Sequence, residues 1–163
     1  MTVADAAAVA RIHVASWQHA YRGLIPSRVL DSLSIADRTA KFTRSIRKGG
    51  PVRYLVAEDG GTIIGFAAVG PCRDEDSSTD DSELAALYVH PLHLRAGAGR
   101  ALLAKAKEAA KQMGCKRMIL WVLKDNASAR AFYKRCGMKQ EATRGTQTIA
   151  GTDYVKMKYS ARL

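Results

Sequence analysis

Residues 83–123 constrain the fold more than any other part of the chain. "ELAALYV" reads as a strand that ends at Pro91, and "HLRAGAGRALL" then places Gly97 and Gly99 one residue apart at the entrance of a helix. That helix runs over about 97–113 with Gly114 as its stop, and "KRMILWVL" (116–123) follows as a mostly apolar strand. An apolar run of this kind suits a strand covered on both faces. Strand, helix, strand in this order makes a parallel pair joined by a right-handed crossover. Glycine inside a helix is unfavourable by roughly 1 kcal/mol relative to alanine. Two at a helix entrance therefore imply that something approaches the main chain there.

The remaining elements arrange themselves around this unit. Ala10, Val14, Trp17 and Tyr21 recur at helical spacing within 4–21, and Gly23 can end that helix. Pro26 and Ser27 open a short helix to about Leu33. Ser34 with Asp37 resembles a capping box for a third helix, which Gly49 and Gly50 stop. "VRYLVAE" and "IIGFAAV" flank "DGGT", a hairpin signature. "NASARAFYKRCG" is a short helix with Asn126 as its cap, and strands at about 138–148 and 152–160 form a last hairpin. The expected fold is α/β: one domain over 1–163, with a central mixed, mostly antiparallel sheet of six to seven strands, a splayed parallel pair at about 83–89 and 116–123, and helices on both faces.

Composition bounds the function. No apolar run reaches the roughly 18 residues of a membrane span, and the N-terminus carries no basic leader, so a cytoplasmic, membrane-free protein is expected. Cys72, Cys115 and Cys136 form no C-x-x-C pair and read as reduced, buried thiols. His90 and His93 stand alone around Pro91, so no metal is expected. The 26 Lys and Arg exceed the 15 Asp and Glu by 11, while six of those acids crowd into "DEDSSTDDSE" at 74–83. A basic body fits an anionic partner.

A strand, a glycine turn and a helix N-terminus together make an anion site. The first helical N–H groups lack partners, and the dipole adds roughly half a positive charge. Arg95 and Arg100 add formal charge. A P-loop pattern is absent, and Leu102 stands where a dinucleotide fingerprint needs its third glycine. The pyrophosphate of coenzyme A is the third possibility.

At this point the residues carry a specific resemblance. "LYVHPLHLRAGAGRALL" (87–103) resembles the acyl-CoA loop of the GNAT acetyltransferase superfamily, and "NASARAFYKRCGM" (126–138) resembles its second motif, in the same order and at the same separation. "ARIHVASWQHAYRGLIP" is similar to a bacterial subgroup of these enzymes. Two departures stand out. Leu94 occupies a position that is Gln or Arg in the pattern. Met1-Thr2-Val3 leaves almost no room for the strand that usually precedes the first helix, so this strand is expected to be missing or vestigial and the exposed edge to favour a homodimer.

The resemblance implies acetyl transfer from acetyl-CoA to a primary amine. It implies cofactor contacts from Leu87, Tyr88 and Val89 along the pantetheine arm, from Leu94, Arg95, Ala96, Gly97, Ala98, Gly99 and Arg100 around the diphosphate, and from Asn126 and Ala129 on the second motif. It implies Tyr133 as general acid, with Phe132 on a different side of the same helix and one ring core, the other site. Glu83 is implied as a water-mediated base, with Asp81 and Glu58 as alternatives. Trp17 and Tyr21 would line the acceptor side. The acidic stretch 74–83 is read either as an attractor for a cationic amine or as a mobile, solvated loop. A non-catalytic CoA sensor and a basic nucleic-acid-binding module are the rival classes; the few aromatic residues and the scatter of Lys and Arg make nucleic acid a poor fit.

Overall fold

The computed structural model describes residues 1–163. Three helices come first: α1 (Ala6–Ala20), α2 (Ser27–Asp31) and α3 (Ile35–Lys48). Strands β1 (Arg53–Asp59), β2 (Thr62–Pro71) and β3 (Asp81–Val89) follow, then α4 (Ala98–Gln112), β4 (Arg117–Leu123), α5 (Ala127–Arg135), β5 (Lys139–Ile149) and β6 (Thr152–Arg162). The element order is the one the residue pattern implies. Ser34 caps α3 by accepting from the Asp37 N–H at 3.1 Å, and Asn126 caps α5 by accepting from the Ala129 N–H at 3.0 Å.

Six strands form one sheet in the order β1-β2-β3-β4-β6-β5. Every neighbouring pair is antiparallel except β3 and β4. α1 and α3 cover one face of β1–β3: Val9 and Ile12 bury against Phe66, with Phe42, Val56, Ala86 and Tyr88 around them. α4 covers the other face, where Leu102, Leu103, Ala106 and Ala110 pack on Ala67, Val69, Leu84, Met118, Leu120 and Tyr159. The small side chains of α4 let it lie close to the sheet.

The N-terminal strand is absent. Val3–Asp5 make a single 3-10 turn, held by the Asp5 carboxylate accepting from the Thr2 N–H and hydroxyl, so β1 is a free edge of the sheet.

The expected α1 face is wider than the four residues its spacing shows. Ala10 and Val14 are buried, and Trp17 and Tyr21 half-buried, but Val9, Ile12, His13 and Ser16 are buried as well. His13 stacks on Trp17 with ring centroids 5.5 Å apart and lies 5.2 Å from the ring of Tyr88, with Phe42 and Phe66 beyond. Its Nδ1 has no hydrogen-bond partner. Burial, aided by the nearby charges of Arg38 and Lys41, lowers its pKa from 6.5 to about 4. As pH falls below about 6.5 the unfolded chain takes up a proton that the folded protein refuses until about pH 4. Stability from this group is therefore complete above pH 6.5 and lost toward pH 4, on the order of 3 kcal/mol in all. Urea denaturation at pH 7 and at pH 5 should show this loss in the wild type and a smaller one in His13→Phe.

Candidate active site

β3 and β4 run together for only three residues. Asp81, Ser82 and Glu83 pair with Arg117, Met118 and Ile119, and beyond that the two strands part. A bulge accompanies the parting: Val69 pairs with Leu84 and Ala68 with Ala86, leaving Ala85 as an extra residue. A bulge bends its strand and increases the local twist. On its β2 side β3 stays paired, and the His90 N–H donates to the Ile64 carbonyl at 2.8 Å. Ladder alternation then turns the main-chain groups of Leu87 and Val89 into the gap and those of Tyr88 toward β2. Tyr88 instead contributes its side chain.

At the end of β3 the chain makes the glycine turn. Arg95 has φ +64° and Gly97 φ +91°, so two left-handed residues fold the segment back on itself before Ala98 begins α4. The first main-chain donor of the helix is Ala101, which bonds the Gly97 carbonyl. From Leu94 to Arg100 no N–H group donates to a protein acceptor, and Leu94, Arg95, Ala96, Gly97 and Arg100 are exposed. This run of unpaired N–H groups at a helix N-terminus is an anion cradle. A Cβ on Gly99 would rest 3.4 Å from the Phe132 ring, an ordinary contact, so the packing of α4 on α5 does not itself require glycine there.

The second motif brings its residues to the same gap. Asn126 and Tyr133 are buried, and Ala129 half-buried. The Tyr21 hydroxyl interacts with the Asn126 and Tyr88 side chains, and Trp17 Nε1 donates to the Tyr88 hydroxyl at 3.0 Å. Trp17, Tyr21, Tyr88, Asn126 and Tyr133 thus form one cluster at the mouth of the gap. Burial raises the pKa of Tyr21, Tyr88 and Tyr133 alike. The rings of Phe132 and Tyr133 both lie in the α4-side core with centroids 5.1 Å apart, and Tyr133 is the deeper.

Glu83 lies on the α1 side of the sheet, at the point where the strands separate. Its carboxylate is gripped by Arg73, whose Nε and Nη2 donate at 2.8 and 2.7 Å. Glu83 is nearly buried while Arg73 is exposed. The two alternatives to Glu83 have other surroundings. Asp81 is buried beside Arg117 and accepts from the Ser78 N–H. Glu58 lines a groove of about 840 Å³ between β1 and α4, whose far end reaches Ala96, Gly97 and Ala98.

Most of the acidic stretch is paired with cations of the body. Asp74 pairs with Lys158 at 2.8 Å and accepts from Trp121 Nε1 at 3.0 Å, Asp80 pairs with Lys116, Asp81 with Arg117 and Glu83 with Arg73. Only Glu75 and Asp76 remain without an ion pair. Its acids are spent on tying the segment to β4 and β6.

Five contributors were not singled out by the sequence. Trp121 and Lys158 reach Asp74 from two other strands, and Arg73 reaches Glu83 from the loop before β3, contacts for which local patterning carries no signal. Ser16, whose Oγ donates to the Val89 carbonyl at 3.0 Å, is equally silent. Gly65 did carry one, since glycine within a strand marks a close approach. No three His, Cys, Asp or Glu side chains gather as a metal site, and no helix is long and apolar enough to cross a membrane.

The profile of the Acetyltransferase (GNAT) family matches residues 12–138. The chain is a GNAT acetyltransferase. Among its relatives, YuaI of Bacillus subtilis, named as an N-acetyltransferase, is 38% identical over 120 residues, which is 74% of this chain and 67% of YuaI. The PaiA N-acetyltransferase of Thermoplasma acidophilum in complex with coenzyme A shares the fold at TM-score 0.78 and 22% identity, over 100% of this chain and 96% of PaiA. The yncA structure from Salmonella typhimurium, which holds its cofactor acetyl-CoA, matches at TM-score 0.71 and 25% identity over 99% of this chain and 90% of its own.

The GNAT gap is framed by a tight approach of α4 to β2. A Cβ on Gly65 would meet Leu102 Cδ1 and the Tyr88 carbonyl oxygen, each at 3.0 Å. The leucine can shift but the carbonyl belongs to the ladder. Gly65→Ala should therefore cost about 1–3 kcal/mol by urea denaturation, with a matching fall in melting temperature.

Proposed function

We propose that this protein transfers an acetyl group from acetyl-CoA to a primary amine, with the acyl donor lying in the gap between β3 and β4. The observation that carries the reading is that the anion cradle at 94–100 follows directly on the strand whose edge at Leu87 and Val89 has no strand partner. The cradle N–H groups suit a diphosphate, with Arg95 and Arg100 beside it. The edge suits an extended amide-bearing arm, which would add to β3 as a strand would. Asn126 and Ala129 line the far wall. Acetyl-CoA supplies the activated thioester; the protein's part is to aim it and to move two protons.

A lysine-like amine with pKa about 10.4 is largely protonated at pH 7, a handicap of roughly 4.6 kcal/mol. Glu83, at the branching point of the strands, takes the proton from the attacking nitrogen through a water. Arg73 fixes the direction of the carboxylate. The nitrogen bonds to the carbonyl carbon, whose oxygen is met by the Val89 N–H. As the carbon–sulfur bond breaks, Tyr133 gives its proton to the departing sulfur. Burial holds the Tyr133 phenol un-ionised well past its ordinary range, so the proton is present at every working pH. The two protons return to their places by exchange with solvent. Trp17 and Tyr21 form the acceptor wall.

The test is acetyl-CoA titration by calorimetry, combined with thiol release across a panel of amines. Tyr133→Phe should lower kcat by about 10²- to 10⁴-fold while the acetyl-CoA affinity stays within about twofold. Glu83→Gln should lower kcat/KM most below pH 8 and least where the amine is already neutral. Full turnover in Tyr133→Phe removes the tyrosine from this role. No heat with acetyl-CoA removes the whole reading.

A further inference from the structure

The sheet face beside the gap carries a cluster that acetyl transfer as such does not use. Trp121 sits on β4 two residues past the last β3–β4 pair, on the same face as Glu83 and Leu123. Lys156 Nζ lies 4.3 Å from the centre of its ring and Lys158 Nζ 5.6 Å. Asp74 binds both the indole N–H and the Lys158 ammonium. The Lys158 charge is therefore matched, while Lys156 has no carboxylate within 4.0 Å. Two ammonium groups and one carboxylate around one indole leave one unmatched positive charge.

The place of Lys156 is built rather than incidental. On β5 its partner is Gly145, where a Cβ would lie 2.7 Å from Lys156 Cε and 3.3 Å from the Trp121 ring. A side chain there would push the lysine stem off the indole. On β6 Lys156 faces Leu123, which packs with Trp17 and Tyr21. It is thus one strand spacing, about 4.8 Å, from a residue whose cluster packs against the acceptor wall. Four of the six acids that could have received a polycation are taken by Arg73, Lys116, Arg117 and Lys158, leaving Glu75 and Asp76.

We infer that the acceptor is a small amine bearing a carboxylate, whose anion is held by Lys156 over the face of Trp121 while its amine lies at the gap near Glu83. This rests on the acetyl-transfer reading and adds the substrate class to it. Lys156 stands two strand spacings from β3, about 10 Å, and four residues further along β4 than the Glu83–Ile119 pair, so the Glu83 and Lys156 side chains, reaching toward each other over the Trp121 face, leave room for a small acceptor between them. A charge-assisted hydrogen bond from Lys156 fixes the carboxylate, and the indole covers the apolar part. Polyamines and aminoglycosides would set further positive charge against Lys156.

The experiment compares matched acceptors that differ only in the carboxylate: phenylalanine with phenethylamine, and methionine with 3-(methylthio)propylamine. Spermidine and an aminoglycoside complete the set. Thiol release gives kcat/KM for the wild type, Lys156→Met and Lys156→Arg. A second readout is tryptophan fluorescence during titration with the same amines and CoA, which needs no turnover. The wild type should favour each carboxylate member by about 10- to 100-fold, chiefly through KM. Lys156→Met should erase most of that ratio and Lys156→Arg restore it, with melting temperatures reporting that the variants fold. A polycation as the best acceptor, or a preference that survives in Lys156→Met, overturns the inference and leaves acetyl transfer standing. Carboxylate binding that depends on Lys156 without thiol release from any amine overturns the transfer reading and leaves the anion site. Absence of both signals overturns both.

Discussion

The separation of β3 from β4 after Glu83 is the constraint on which the rest of the molecule depends. A parallel pair that stayed zipped would satisfy its own main-chain groups and leave nothing for a ligand. Three residue pairs hold the strands at one end, and the extra residue at Ala85 turns β3 away at the other. Unpaired strand edge is costly when buried, so the opening persists because what lines it is polar or wet. Ser16 accepts part of that task by reaching from α1 to the Val89 carbonyl. After the paired N–H groups of His90, Leu92 and His93, the glycine turn exposes main chain again around the corner into α4, so a second run of free donors follows the strand edge.

Much of this was legible in the residues. The strand, the left-handed glycine and the helix register at 83–113 follow from local chemistry, because a positive φ and a free helix start are properties of short segments. Asn126 and Ser34 announced their caps for the same reason. The cluster of Trp17, Tyr21, Asn126 and Tyr133 was legible only through the family resemblance; nothing in spacing alone brings α1 to α5. What stayed hidden was long-range. The bulge at Ala85 has no residue signature, since alanine can occupy either register. The fate of the acidic stretch was hidden too. A run of carboxylates looks solvated until Lys116, Arg117, Lys158 and Trp121 arrive from two other strands to claim them.

The two catalytic groups proposed here also differ in how the fold treats them. Tyr133 is enclosed by the α4-side core, so its ring position is set by packing and its proton by desolvation. Glu83 is held by one exposed guanidinium on a connecting loop, which can reorient without disturbing the sheet. A buried donor beside an adjustable acceptor places the rigid partner with the thioester and the adaptable one with the incoming amine.

Ion pairing has a consequence for how the protein meets other molecules. Six of its fifteen carboxylates are bound to lysines or arginines. Among the charges left over, cations outnumber anions more than two to one. The far field is set by net charge, and the leftover charges share its positive sign. Diffusing polyanions are drawn inward over about one Debye length, near 8 Å at physiological ionic strength. Capture of a phosphate-rich donor is then quick and sensitive to salt, and other abundant polyanions compete for the same outer shell.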